Sequence, residues 1–254
     1  MSEWANGYYR KRLSGVDAAV YDCVYNGWKR SASKIDLPAG VPEKFDINDT
    51  ISFVAMDHPE IFWVNYYAYT TNSRSLANIV IRRWLEFNFF FGEDERELLT
   101  SQAYAWRERI CKQIPVGIDQ RDKLWMLYDY LSRQVTYGEK GNAQSHTIIG
   151  CFLPQNHVSV CEGIAKAFKF LCDGVGIPCI IVTGNYSNRN IAGTGGHAWN
   201  LVSTEGCFRH LDITSALDVA KSNGIAPREG YLFKDLDMHS RQYNWDTFIT
   251  PRCY

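Results

Sequence analysis

Neither sign of charge dominates this chain, in which 27 lysines and arginines face 28 aspartates and glutamates over 254 residues. A pI near 6.6 leaves no basic surface to gather phosphates, so nucleic acid is excluded as an expected partner, and nothing draws the chain to an anionic membrane. No stretch stays apolar for the roughly eighteen residues that a bilayer span needs, so no transmembrane segment is expected. The opening Met1-Ser2-Glu3-Trp4-Ala5-Asn6 has no basic segment followed by an apolar run, the mark of a secretory signal. The expectation is a cytoplasmic protein as encoded, secreted or surface-attached if the chain is a truncated form. Internal repeats and low-complexity tracts are missing as well. Eight cysteines are present, but without the C-x-x-C pairing of zinc sites or the density of a small disulfide scaffold. Cys161, Cys172 and Cys179 offer no ligand pair at zinc spacing, so a cysteine metal site is a poor reading and no metal or organic cofactor is expected.

What is present is apolar and aromatic side chain, 46% hydrophobic with 14% aromatic, enough for a sizeable core but spread over a length generous for one compact domain. We expect an N-terminal helical and aromatic region over 1–115 and a core carrying the chemistry over 116–254. From Leu13 the pattern is helical, with Ser14 as a cap and Val16, Val20, Cys23 and Val24 on one face. The block Ile61-Phe62-Trp63-Val64-Asn65-Tyr66-Tyr67-Ala68-Tyr69 reads as a buried strand or hairpin arm. Helices are expected over about 93–114, stopped by Pro115 and Gly117, and from Asp119 onward, with Leu124, Leu127, Tyr128 and Leu131 on one stripe. Residues 138–157 are dense in turn formers and read as a loop.

From Val160 the apolar residues Ile164, Ala167, Phe168, Leu171, Cys172 and Val175 recur at helical spacing, until Gly174, Gly176 and Pro178 end a helix of roughly four turns. Three strand-like runs follow, Cys179 to Thr183, His197 to Val202 and Cys207 to Ile213. One helix followed by an antiparallel meander is an α+β pattern.

The chemistry concentrates here. Ser159-Val160-Cys161-Glu162 fits a capping box, with Ser159 as N-cap and Glu162 reaching back, which places Cys161 in the first helical turn. Free N–H groups and the positive end of the helix dipole favour a thiolate at that position and offer a donor to an oxyanion. The bland alternative is a buried small hydrophobe. His197 opens a strand after Gly195 and Gly196, and Asp212 lies on the next strand, where its carboxylate can fix the imidazole tautomer if the two strands pair. Taken alone, Asp212 is better read as an ion pair or a turn cap. His210 is a rival base, two residues from Asp212 on the same strand face, but a neighbour of that kind lies alongside the carboxylate and not between it and the thiol. His157 is a second rival, with a polar loop role as its plain reading. His58, His146 and His239 have no such neighbourhood.

The motifs Val160-Cys161-Glu162-Gly163-Ile164-Ala165-Lys166-Ala167-Phe168, Gly176-Ile177-Pro178, Val182-Thr183-Gly184, Gly196-His197-Ala198-Trp199-Asn200 and His210-Leu211-Asp212-Ile213-Thr214 resemble, in order, the core of the transglutaminase-like superfamily. The resemblance covers roughly residues 120 to 215. Weaker similarity to bacterial members reaches Asp57-His58-Pro59-Glu60-Ile61-Phe62-Trp63 upstream and Tyr231-Leu232-Phe233-Lys234-Asp235 downstream. It implies a papain-like fold in which a nucleophile helix packs on a sheet carrying base and carboxylate, with Cys161, His197 and Asp212 in those roles. Gln155, six residues before Cys161, is the candidate second oxyanion donor, weighed against a plain loop amide. The implied activity is transfer or hydrolysis at a peptide or amide bond through a thioester, on a peptide or protein substrate. The alternative is a silent peptide- or cell-wall-binding module on the same fold. Members differ in whether water or an amine takes the acyl group. The sequence has no acidic calcium-binding loops and no marked amine site, so water is the expected acceptor.

Overall fold

The computed structural model describes residues 7–77, 79–138, 143–153, 157–186 and 195–254. These form two compact units, one over Asn6–Leu98 and the other over Leu99–Tyr254.

In the first unit, α1 (Gly15–Lys29) starts after Ser14, whose extended backbone makes the cap position although its hydroxyl bonds nothing there. Strand β1 (Lys34–Asp36) is followed by α2 (Asn48–Asp57), then by the long hairpin of β2 (Val64–Leu76) and β3 (Ile79–Phe89). The sheet order is β1-β3-β2, all antiparallel. Val20, Val24, Trp28, Ile35, Ile51, Val54, Leu85 and Phe87 close one apolar core between helices and sheet. Gly27 is required there, because a Cβ would lie 2.4 Å from Ile35 Cδ1. The aromatic block does become a hairpin arm, but its burial is confined to Ile61, Phe62 and Val64; Tyr67 is 57% exposed. A two-stranded ribbon that projects past its core buries only its base.

In the second unit, α3 (Glu93–Cys111) and α4 (Gln120–Gln134) come first. Asp119 caps α4 by accepting the Asp122 N–H at 2.7 Å, and Leu124, Leu127, Tyr128 and Leu131 are buried as the stripe predicts. The short strand β4 (Thr136–Tyr137) pairs in parallel with β5 (Val158–Ser159). Between them the stretch expected as plain loop contains a single 3-10 turn over Ala143–His146 and a short helix, α5 (Ile149–Phe152), where Ile148, Ile149, Cys151 and Phe152 are buried. The apolar run from Ile148 to Phe152 overrides the surrounding turn formers because it has a core to enter.

Helix α6 (Cys161–Gly174) is buried along nearly its whole length and packs on an antiparallel sheet of β6 (Cys179–Tyr186), β7 (Gly195–Thr204) and β8 (Cys207–Leu211). The β7–β8 turn uses Glu205 and Gly206, both at positive φ, as a two-residue hairpin requires. After α7 (Leu217–Asn223) and α8 (Asp235–Ser240), a three-residue strand, β9 (Tyr243–Trp245), pairs with the far edge of β6 and gives the order β8-β7-β6-β9. The fold is α+β with the buried helix on the sheet, as expected. Among the described residues no helix is long and apolar enough to cross a membrane.

Candidate active site

Cys161 is the first residue of α6, so its N–H is one of those that no carbonyl within the helix can satisfy. The capping box expected from the sequence does not form. The N-cap is Val160, one residue later than predicted, which makes Glu162 the second helical residue and too early to reach back. Ser159 instead donates its hydroxyl to the Ser145 carbonyl at 2.8 Å, while Glu162 accepts from Lys166 Nζ at 2.6 Å and meets His146 Nδ1 at 3.0 Å. His146, to which the sequence assigned no neighbourhood, thus lies beside the residue that follows the thiol. Gly163 makes this arrangement possible, since a Cβ there would meet the Ser145 carbonyl and the Ser159 hydroxyl, each at 2.3 Å.

His197 and Asp212 come from neighbouring strands. Pairing runs Asn200 with Leu211, so continuing the register sets Asp212 opposite Trp199, two residues along β7 from His197 and on the same face. His197 Nε2 lies 2.9 Å from Asp212 Oδ2. The carboxylate is 3% exposed and fully engaged, accepting also the Tyr243 hydroxyl at 2.5 Å on Oδ2 and the Thr214 N–H at 3.0 Å on Oδ1. With Nε2 turned to Asp212, the other ring nitrogen is left for the thiol, and Cys161 is the second hydrogen-bond partner of His197. Tyr186, Trp199 and Tyr243 surround the imidazole, with ring centroids 5.7 to 5.8 Å away.

The electrostatics follow from these contacts. Burial alone pushes the Cys161 thiol up, but the hydrogen bond and charge of His197, the Ala198 N–H and the Tyr137 hydroxyl outweigh it and hold the thiol below its ordinary value. Burial likewise disfavours the imidazolium of His197, yet the hydrogen bonds and charges of Asp212 and Cys161 push its pKa up to about 10. The two shifts agree in favouring a thiolate–imidazolium pair. Cys23, Cys111, Cys151, Cys172 and Cys253 are pushed the other way, each chiefly by burial.

His210 is brought near Asp212 in sequence only. It is fully buried, accepts the Trp199 indole N–H on Nδ1 at 2.9 Å and holds Asp235 Oδ1 on Nε2 at 2.9 Å. His210, Asp235 and Cys253 also present ligand-type atoms within 4.8 Å of one another. The Trp199 donor fixes the His210 proton on Nε2, so a neutral ring has no lone pair to offer a metal on the side facing Asp235. The cluster is a hydrogen-bond chain that positions β8 and α8. His157 holds the Cys151 carbonyl at 2.8 Å, a loop role. Gln155 lies outside the described residues. The sequence reading missed Tyr137 and Tyr243: one sits on a two-residue strand and the other on a three-residue strand, where no periodicity develops.

A thiol, an imidazole and a buried carboxylate in a row, at the junction of a buried helix and an antiparallel sheet, define a protein of the cysteine-dependent enzyme class. Residues 97–213 match the family model of the transglutaminase-like superfamily, and this part of the chain belongs to that superfamily. Similar solved structures include a protein proposed to be a cysteine protease from Cytophaga hutchinsonii, at 14% identity and a TM-score of 0.36 over 65% of this chain and 70% of that one. A transglutaminase (TGase) matches at 14% identity and a TM-score of 0.36, over 59% of this chain but only 46% of its own length. The periplasmic domain of TgpA from Pseudomonas aeruginosa, bound to ethylmercury, matches at 14% identity and a TM-score of 0.33 over 60% of this chain and 68% of that one. None of the curated proteins compared matches the chain.

Proposed function

We propose that the protein acylates Cys161 with a peptide or amide carbonyl and passes the acyl group to water, with His197 as base and then acid and Asp212 as the group that orients it. The observation that carries this reading is the position of His197, hydrogen-bonded to Asp212 on one nitrogen and partnered by the Cys161 thiol on the other side of the ring. The thiolate attacks the carbonyl carbon and the C=O pair moves onto oxygen. Collapse of this intermediate expels the amine, which takes the proton from the His197 imidazolium, and a thioester remains. Water, deprotonated by the now neutral imidazole, then releases the acid and the thiol. N–H groups at the start of α6 face the developing oxyanion, and Gln155 stays the sequence-based candidate for a side-chain donor. No step requires a metal or an organic cofactor.

A chromogenic ester tests the reading without knowledge of the natural substrate. Mixed with p-nitrophenyl acetate, the wild-type protein is expected to release a burst of p-nitrophenolate, and Cys161→Ala, a small loss of volume, is expected to abolish it while keeping the fold. An equal burst from the Ala variant contradicts the reading. Offering a labelled primary amine with glutamine-containing proteins checks the acceptor: efficient Cys161-dependent incorporation replaces water by amine.

A further inference from the structure

Among residues outside the row of three, Tyr137 stands closest to the chemistry. Its hydroxyl is hydrogen-bonded to the Cys161 side chain and also to the Cys161 backbone N–H. The second contact points to position, because a backbone N–H donates, so the tyrosine oxygen accepts from it while the O–H is directed at sulfur. The atom therefore occupies the corner between Sγ and the first free N–H of α6. An oxyanion forms at that corner when sulfur bonds to a carbonyl carbon, since its oxygen is two bonds from Sγ and must be met by the same N–H.

Local structure fixes the side chain there. Tyr137 pairs with Ser159 in the parallel β4–β5 ladder, two residues before the nucleophile. The Thr136 N–H donates to the His157 carbonyl at 2.6 Å and the Gly138 N–H to the Ser159 carbonyl at 3.2 Å, so the backbone is tied on both sides of Tyr137 to the strand that leads into α6. Lys221 Nζ holds the Thr136 hydroxyl at 2.6 Å. The residue itself is 53% exposed, so the ring has room to yield to an incoming carbonyl.

We propose that Tyr137 is a catalytic residue of this site, the side-chain donor that receives the oxyanion of the tetrahedral intermediate together with the backbone N–H of Cys161. In the resting enzyme the hydroxyl donates to sulfur. As the C–S bond forms and negative charge leaves sulfur for the carbonyl oxygen, the same O–H turns to that oxygen. The tyrosine proton stays on the phenol throughout, and the leaving group takes its proton from His197 as above. The proposal rests on the acylation chemistry assigned to Cys161.

The test compares two reactions of one thiol in wild type and Tyr137→Phe, which keeps the ring and removes the hydroxyl. Acylation by p-nitrophenyl acetate passes through an oxyanion, whereas alkylation by iodoacetamide, measured on the high-pH plateau where the thiol is fully ionised, does not. Loss of one oxyanion donor costs on the order of a hundredfold in comparable sites, so the acylation rate constant is expected to fall by about that factor while plateau alkylation holds. A merely structural change would slow both. A fall in the acylation-to-alkylation ratio of about fivefold or more supports the proposal; a smaller change, a parallel loss of both rates, or faster acylation overturns it, the last by making the hydroxyl a plug. A wild-type protein with no Cys161-dependent burst overturns the acylation reading itself, and this proposal with it.

Discussion

Asp212 accepts three hydrogen bonds while almost fully buried, an arrangement that a carboxylate tolerates only as an acceptor on every side. In Asp212→Asn an NH₂ must face the imidazole or the Tyr243 hydroxyl, and the imidazole is driven to the tautomer that directs N–H at the thiol. The fold is expected to survive and turnover to fall by roughly 10³ to 10⁴. Tyr243→Phe leaves the carboxylate in place and removes one charge-assisted hydrogen bond, so on the order of tenfold is expected, about 1.5 kcal/mol. Steady-state rates for the two variants, with circular dichroism to confirm folding, check the order of the effects; an Asn variant as fast as wild type would make Asp212 purely structural. Cys161, His197 and Asp212 were legible in the sequence because each sits at a start or end that residue type announces: a helix start, a glycine-led strand, a strand end. Tyr137 and Tyr243 were not legible, since one tyrosine among fifteen carries no mark until tertiary contacts single it out.

At the scale of elements, the site depends on β9 although that strand is only three residues long. Gly184 of β6 lies between His197 on one side and Trp245 on the other, and a Cβ there would meet the Asn244 carbonyl at 2.1 Å and Trp199 at 2.9 Å. Backbone of β9 cannot be replaced by a rotamer change, so Gly184→Ala is expected to push β9 off the sheet edge and to carry Tyr243 away from Asp212. Turnover should fall at least as far as in Tyr243→Phe, with a loss of melting temperature; an Ala variant with unchanged rate and stability would show that β9 holds nothing in place. The long periodic elements α1, α4, α6 and the β6–β8 meander were readable because one face of each is apolar over several turns or residues. The misplaced cap of α6 and the unexpected β9 share one cause, since both are decided by residues distant in sequence: Ser145 claims the Ser159 hydroxyl, and β6 offers its free edge to a segment nearly sixty residues on.

Across the whole molecule eight thiols share one solvent, and all eight lie within the described residues. Folding sorts them: five are pushed up chiefly by burial, Cys207 is exposed, and only Cys161 is pushed down. The direction of the shifts fixes the pH behaviour. Above the depressed thiol pKa sulfur is ionised, and below about 10 the His197 imidazole is protonated, so the ion pair persists through neutrality and ends at low pH only when the thiolate itself takes a proton. An ordinary thiol with a pKa of about 8.5 is only about one part in a thousand thiolate at pH 5.5. Iodoacetamide at that pH, followed by peptide mapping, measures the difference directly within one sample. The account predicts that Cys161 is modified first, by about tenfold or more over the exposed Cys207, and that His197→Ala removes the advantage; labelling of Cys207 as fast as Cys161, or no effect of the His197 change, would contradict it.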